Sequence, residues 1–193
     1  MGFIRTGILG GSFNPIHNAH IAIAQAMVSA GIVDEVWLMV SPQNPLKSSQ
    51  TLLPEEKRYQ MACMACKGLE RICASDFEFH LPRPTYTWTT LCALSKMYAN
   101  HTFTLLIGSD NWTTFHKWHR FKDIIDNYRI AIYPRPGYEV NEKDLPQNVM
   151  FANMPISNIS STMIRQKIIN GEDFSSLLHK DVYNLIVKEK LYM

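Results

Sequence analysis

Short apolar runs alternate with stretches of helical period from one end of the chain to the other. The runs predict strands at residues 3–9, 35–40, 71–77, 102–107, 128–133 and 149–153. Between and after them, apolar positions recurring every three to four residues predict helices at 18–30, 54–69, 86–99, 111–118, 121–126, 161–170 and 179–188. The runs "VWLMV" and "FTLLI" are apolar at every position, which suits parallel strands covered on both faces. Strand and helix in alternation predict an α/β fold: a doubly wound, mostly parallel sheet in one domain spanning residues 1–193. Residues 41–53 and 134–148 are rich in Pro, Asn and Gln and read as surface loops of that domain.

Composition narrows the function classes. A chain of 193 residues with 46% hydrophobic content supports one ample core. No apolar run is long enough to span a membrane, and the first residues lack a signal-peptide pattern. The expectation is a cytoplasmic protein without a membrane partner. A formal net charge of +2 gives no electrostatic case for nucleic acid, although a few cations and backbone amides could still hold a small anion. Oligomeric state is open, a homo-oligomer included. Among the four cysteines, Cys63 and Cys66 form a C-x-x-C inside "PEEKRYQMACMACKGLE". That segment reads as one helix opened by Pro54, with Glu55 and Glu56 in its first turn. A mid-helix pair lacks the helix-start position that lowers a redox thiol's pKa, and no second close Cys/His pair completes a zinc set. The cysteines are expected to be small buried residues in a reducing compartment.

The chemistry gathers where strands end. In an open α/β sheet ligands bind outside the carboxyl ends of the strands, and there the sequence puts "GGSFNPIHNAH", "SPQNPLK" and "GSDNW". Gly10 and Gly11 would let the backbone turn tightly and admit a bulky anion. Asn18 is the expected cap of the following helix, with His17 just before it and His20 in its first turn. Both imidazoles would then converge on the positive end of that helix, where an anion is favoured. Near the other end of the chain, Ser160, Ser161 and Thr162 precede or start a helix, with Arg165 one turn in. Hydroxyls, helix-start amides and a guanidinium make a second anion site, and two such sites suit a polyphosphate.

"GGSFNPIHNAH" resembles the GG[ST]F[DN]PxHxGH motif of the paired-histidine nucleotidyltransferase superfamily, and "ISSTMIR" resembles that superfamily's C-terminal ISSTxIR segment. With "SPQNPLK", "PTYTWTTL", "GSDNWTTFHKW" and "RPGY", the chain is similar nearly throughout to the bacterial nicotinate-nucleotide adenylyltransferase family. The resemblance implies a Rossmann-like sheet and adenylyl transfer from ATP to nicotinate mononucleotide, with Mg²⁺ accompanying the ATP and no protein metal ligand. It implies that His17, His20 and Arg165 are catalytic. ATP would be bound by Gly10, Gly11, Ser12, Phe13, Gly108, Asp110, Ile159, Ser161 and Thr162, with Asp110 on a ribose and Ile159 beside the adenine. The mononucleotide would meet Lys47, Thr87, Trp118, His119 and Arg135: Trp118 stacks on the pyridine ring, and amides near Thr87 and His119 receive its carboxylate. Trp88 and Trp112 read as core or wall residues. Asn14, Ala19, Leu46 and Thr89 depart from the residues common in the family. A nicotinamide mononucleotide or phosphopantetheine acceptor, or a catalytically silent nucleotide-binding regulator, are the alternative readings.

Overall fold

The computed structural model describes residues 2–42 and 52–193. Strands β1 (Ile4–Gly11), β2 (Glu35–Val40), β3 (Ile72–Ser75), β4 (His101–Gly108), β5 (Arg129–Tyr133) and β6 (Val149–Phe151) form one sheet. Their order is β3-β2-β1-β4-β5-β6, and every neighbouring pair is parallel. The chain winds outward from β1 through β2 to β3, then returns to β4 on the other side of β1. The crevice at this reversal, beyond the carboxyl ends of β1 and β4, is where such sheets take their ligands.

Successive strand residues face opposite sides of a sheet, so continuously apolar strands build two cores. Leu9, Leu38, Val40 and Leu106 share one core with Met27 of helix α1 (Asn18–Ser29), Met61 of α2 (Glu55–Ala65), Ile164 of α6 (Ser161–Asn170) and Ile186 of α7 (Lys180–Glu189). Ile8, Met39, Leu105 and Ile107 share the other with Leu91 and Leu94 of α3 (Thr87–Met97) and Ile124 of α5 (Phe121–Asn127). No helix among the described residues is long and apolar enough to cross a membrane.

Four local expectations change. First, β1 continues through Gly10 and Gly11, which pair with Met39 and Val40. The turn comes at Ser12 and at Phe13, whose φ is +46°, so the glycines extend the strand instead of bending it. Second, His17 is the N-cap of α1 and Asn18 its first residue; the Asn18 amide donates to the Ser176 carbonyl at 3.0 Å. Third, the helix expected at 111–118 divides into α4 (Ser109–Thr113) and a 3-10 turn at Phe115–Lys117. The hydroxyls of Thr113 and Thr114 donate to the carbonyls of Asp110 and Asn111 at 2.8 and 3.3 Å, competing with helix continuation. Fourth, α2 stops at Ala65, and Gly68 follows in the left-handed region at φ +82°. Cys66 is therefore a helix C-cap, not a mid-helix residue.

Candidate active site

Two clefts, each of about 360 Å³, open at the sheet reversal and share Gly10, Gly11, Ser12, Asn111 and Tyr133 in their walls. One holds the charged residues read from both ends of the sequence. His17, His20, Ser161, Thr162, Arg165, Asp110 and Arg135 all wall it.

The histidine pair is built by the start of α1. The backbone N–H of His17 donates to His20 Nδ1 at 3.2 Å, which keeps the neutral His20 proton on Nε2. The two imidazoles stack with centroids 3.7 Å apart, and Phe13 meets His20 edge-on at 4.9 Å. The left-handed backbone at Phe13 turns its ring back over Gly11, where a Cβ would come within 3.1 Å of that ring. Burial, with Arg135 nearby, pushes the His17 pKa down to about 3, and its Nδ1 is buried without a hydrogen-bond partner. A neutral buried imidazole facing a polar cleft is poised to pair with an incoming anion.

Helix α6 closes the cleft from the far end of the sequence. Ser160 is its N-cap and accepts from the Met163 N–H at 3.1 Å. Ser161 donates its hydroxyl to the Pro15 carbonyl at 2.9 Å. Arg165 donates to the Asn14 carbonyl at 2.8 Å and to the Thr162 hydroxyl at 3.3 Å. The two anion sites read separately from the sequence are thus stitched into one. Gly108 stands behind it: a Cβ there would lie 2.2 Å from Asp110 Oδ1 and 3.0 Å from Arg135 Cγ. That Asp110 oxygen is buried without a hydrogen-bond partner, 3.7 Å from Arg135 Nε.

The second cleft is aromatic-lined, with Thr87, Trp118 and His119 in its wall beside Tyr86, Leu91, Leu105 and the cation Lys117. Trp118 packs on Phe115 at 5.1 Å and is half-buried. The Tyr86 and His119 rings meet at 4.6 Å, and the Arg120 guanidinium lies 4.7 Å over Trp88, so two contacts draw the start of α3 to the turn after Trp118. Trp112 stacks on Phe115 at 5.4 Å, a packing role like that of Trp88.

Most of the expected residues come together, with three differences. Arg135 belongs to the charged cleft, not to the aromatic one. Ile159 packs against the core beneath α6, and Gly108 acts by leaving room; neither is part of a cleft wall. Lys47 and Leu46 lie outside the described residues. Three residues carry no motif-like signal in the sequence. Glu78 is buried in the aromatic cleft, accepting hydroxyls from Thr90 at 2.8 Å and Thr85 at 3.4 Å, and burial raises its pKa. Arg58 is wholly buried and reaches four backbone carbonyls. Tyr192 donates to the Asn14 side chain at 2.8 Å.

Residues 8–167 match the cytidylyltransferase-like family. A protein of Bacteroides fragilis named "Probable nicotinate-nucleotide adenylyltransferase" is 46% identical over 185 residues, covering 96% of this chain and 92% of the relative. One of the same name from Flavobacterium johnsoniae is 38% identical over 98% of this chain and 99% of its own length. In structure the chain is similar to the Plasmodium falciparum nicotinic acid mononucleotide adenylyltransferase complexed with NaAD. The TM-score is 0.83 at 23% identity, over 98% of this chain and 97% of that one, a likeness of fold. At this identity and coverage the chain belongs to the cytidylyltransferase-like family and, within it, to the nicotinate-nucleotide adenylyltransferases.

Proposed function

We propose that this protein transfers the adenylyl group of ATP to nicotinate mononucleotide, forming deamido-NAD and pyrophosphate. A phosphate oxygen of the mononucleotide attacks the ATP α-phosphorus; a new P–O bond forms as the bond to the β-phosphate bridging oxygen breaks, and pyrophosphate leaves. The nucleophile is already anionic at neutral pH, so no general base is required. Positioning and charge stabilisation carry the acceleration. The observation that supports this most is the junction of a polar cleft, walled by His17, His20 and Arg165, with an aromatic cleft walled by Trp118 across a shared floor.

In this reading His17 and His20 contact the ATP phosphates, His20 nearest the reacting centre. Arg165, Thr162 and the free amides of α6 hold the remaining phosphate charge. Asp110 accepts from a ribose hydroxyl, which would satisfy its unpartnered oxygen. Trp118 stacks on the pyridine ring, while backbone amides near Thr87 and His119 receive the carboxylate. Among the described residues no three His, Cys, Asp or Glu side chains are grouped to hold a metal ion. In this reading Mg²⁺ would arrive on the phosphate oxygens of ATP and would neutralise phosphate charge there. The test is pyrophosphate release from ATP with nicotinate mononucleotide, nicotinamide mononucleotide and phosphopantetheine in turn. Turnover with the nicotinate substrate well above the others is expected; a faster reaction with either of the others would overturn the acceptor assignment.

A further inference from the structure

The backbone from Ser12 to Asn14 carries the charged cleft's floor, and Phe13 within it adopts a φ of +46° that non-glycine residues rarely take. Such a conformation is strained and persists only when its surroundings hold it. Two side chains that line neither cleft do the holding. Arg58, fully buried, donates from Nη1 to the Ser12 carbonyl at 2.6 Å and the Ser41 carbonyl at 2.8 Å. Its Nη2 reaches the Pro42 carbonyl at 2.6 Å and its Nε the Leu53 carbonyl at 2.8 Å. On the other side of Phe13, the Tyr192 hydroxyl donates to Asn14 Oδ1 at 2.8 Å, an oxygen that also accepts from the Leu53 N–H at 3.2 Å. The Asn14 carbonyl in turn accepts from Arg165 at 2.8 Å. A buried guanidinium spent on four neutral carbonyls is an expensive way to stabilise a core, and a planar fork is suited to fixing several oxygens at once.

We propose that Arg58 and Tyr192 are positioning residues for adenylyl transfer: from behind the cleft they fix Ser12 and Asn14, and through them the Phe13 ring behind His20 and the Arg165 guanidinium. The proposal rests on the catalytic reading above. For Tyr192 it concerns the ATP side alone, because Asn14 walls the charged cleft and not the aromatic one, whereas Arg58 also holds Ser12 and Ser41, which wall the aromatic cleft.

The experiment compares wild type, Tyr192→Phe and Arg58→Lys at a temperature well below unfolding. ATP affinity is measured by calorimetry, and kcat and both KM values by pyrophosphate release. Tyr192→Phe should lower kcat roughly tenfold and weaken ATP binding at least about threefold, while KM for nicotinate mononucleotide stays within about twofold. Arg58→Lys, which cannot fork, should lose more of both. If Arg58→Lys fails to fold, Tyr192→Phe decides alone. ATP affinity and kcat within twofold of wild type in Tyr192→Phe would overturn the proposal, whatever its melting temperature does. So would a rise in mononucleotide KM in step with that for ATP, the mark of general loosening. A wild-type protein without turnover would refute the catalytic reading, and the ATP affinities would still decide the clamp.

Discussion

The two clefts share a floor and hold charge by opposite means. In the charged cleft, ionisable side chains from distant parts of the chain converge: His17 and His20 from α1, Arg165 from α6, Asp110 from α4 and Arg135 after β5. Two buried atoms among them, His17 Nδ1 and Asp110 Oδ1, have no hydrogen-bond partner. In the aromatic cleft the buried carboxylate, Glu78, already has Thr85 and Thr90 as donors, and Lys117 and Asn111 stand among rings and aliphatic side chains. In the proposed reaction the first cleft would gain partners when a polyanion arrives, and the second would select by shape and backbone donors. Losing a side chain should therefore hurt turnover in the first and substrate choice in the second.

The largest effect should come from His20→Ala, a kcat reduced roughly 10²–10³-fold, as when one transition-state donor is removed. Folding should be little disturbed, because the ring sits in the cleft wall. Steady-state pyrophosphate release with a thermal melt in parallel checks both points, and near-normal turnover would remove His20 from the mechanism. On the other side, a carboxylate held by converging amides gains charge-assisted bonds, whereas the neutral amide leaves one donor facing another. The difference of roughly 3–5 kcal/mol predicts at least about a hundredfold preference for the acid in kcat/KM. Trp118→Ala should weaken use of both mononucleotides and leave their ratio standing, since stacking does not distinguish them. A ratio that collapses in that variant would place selectivity in the ring, not in the amides.

The comparison also explains what could be read before the structure was known. All six strands and the helices that cover them are visible in hydrophobic period, because burial on two faces imprints itself on the central residues of β2 and β4. The charged cleft is legible because its residues cluster at helix starts, a local signal. Glu78, Arg58 and Tyr192 are not. Each works through contacts made only after folding: Arg58 reaches Ser12 across 46 residues, and Tyr192 reaches Asn14 across 178. The place of Arg135 in the charged cleft is hidden for the same reason, since "RPGY" says that a loop follows β5 and nothing about which wall the loop joins.

The glycines give a sharper contrast. A Cβ on Gly108 would collide with Asp110 Oδ1 at 2.2 Å and press Arg135 Cγ at 3.0 Å, whereas one on Gly10 would meet no protein atom within 4 Å. Gly108→Ala should destabilise the fold by about 1–3 kcal/mol and lower kcat/KM for ATP about tenfold by displacing Asp110. Gly10→Ala should leave the melting temperature unchanged and weaken the binding of both substrates, because a Cβ there would enter open space shared by both clefts. Equal melting temperatures for the two variants would refute the packing role of Gly108.

Acid should separate the clefts next. His17 is held near pKa 3 in the folded protein against an ordinary 6.5, first by burial and then by Arg135. Below pH 6.5 the unfolded chain therefore binds a proton that the folded one refuses, so stability falls as pH drops from about 6.5 toward 3. Between pH 6.5 and pH 5 this single group should remove roughly 1–2 kcal/mol. Urea titrations of wild type and His17→Asn check it: the variant should lose that part of the slope. ATP restores the charge His17 lacks, so binding at pH 5.5 should take up protons, measurable by calorimetry in buffers of different ionisation enthalpy.

The smallest effect, close to none, is expected at the cysteines. Against the expectation of four buried cysteines, only Cys66 is buried: Cys63 and Cys73 are exposed and Cys92 is half-buried, and none of them belongs to either cleft wall. Cys63 and Cys66 stand at the C-terminal end of α2, where the helix dipole disfavours a thiolate, the reverse of the helix-start position that activates a redox pair. Burial pushes the Cys66 thiol up to about 12 and the Cys73 thiol up to about 11, so both stay protonated at neutral pH and neither is a ready nucleophile or metal ligand. Cys63→Ser, at an exposed position, should leave kcat, KM and melting temperature as they are. Cys66→Ser puts a hydroxyl in a buried apolar place and should cost about 1–2 kcal/mol of stability with activity intact. A chelator should likewise leave activity unchanged once Mg²⁺ is resupplied. Stoichiometric zinc retained by the purified wild type and lost in Cys63→Ser would reverse this account, and would mean that the thiols are ionised by a metal in spite of burial and helix dipole.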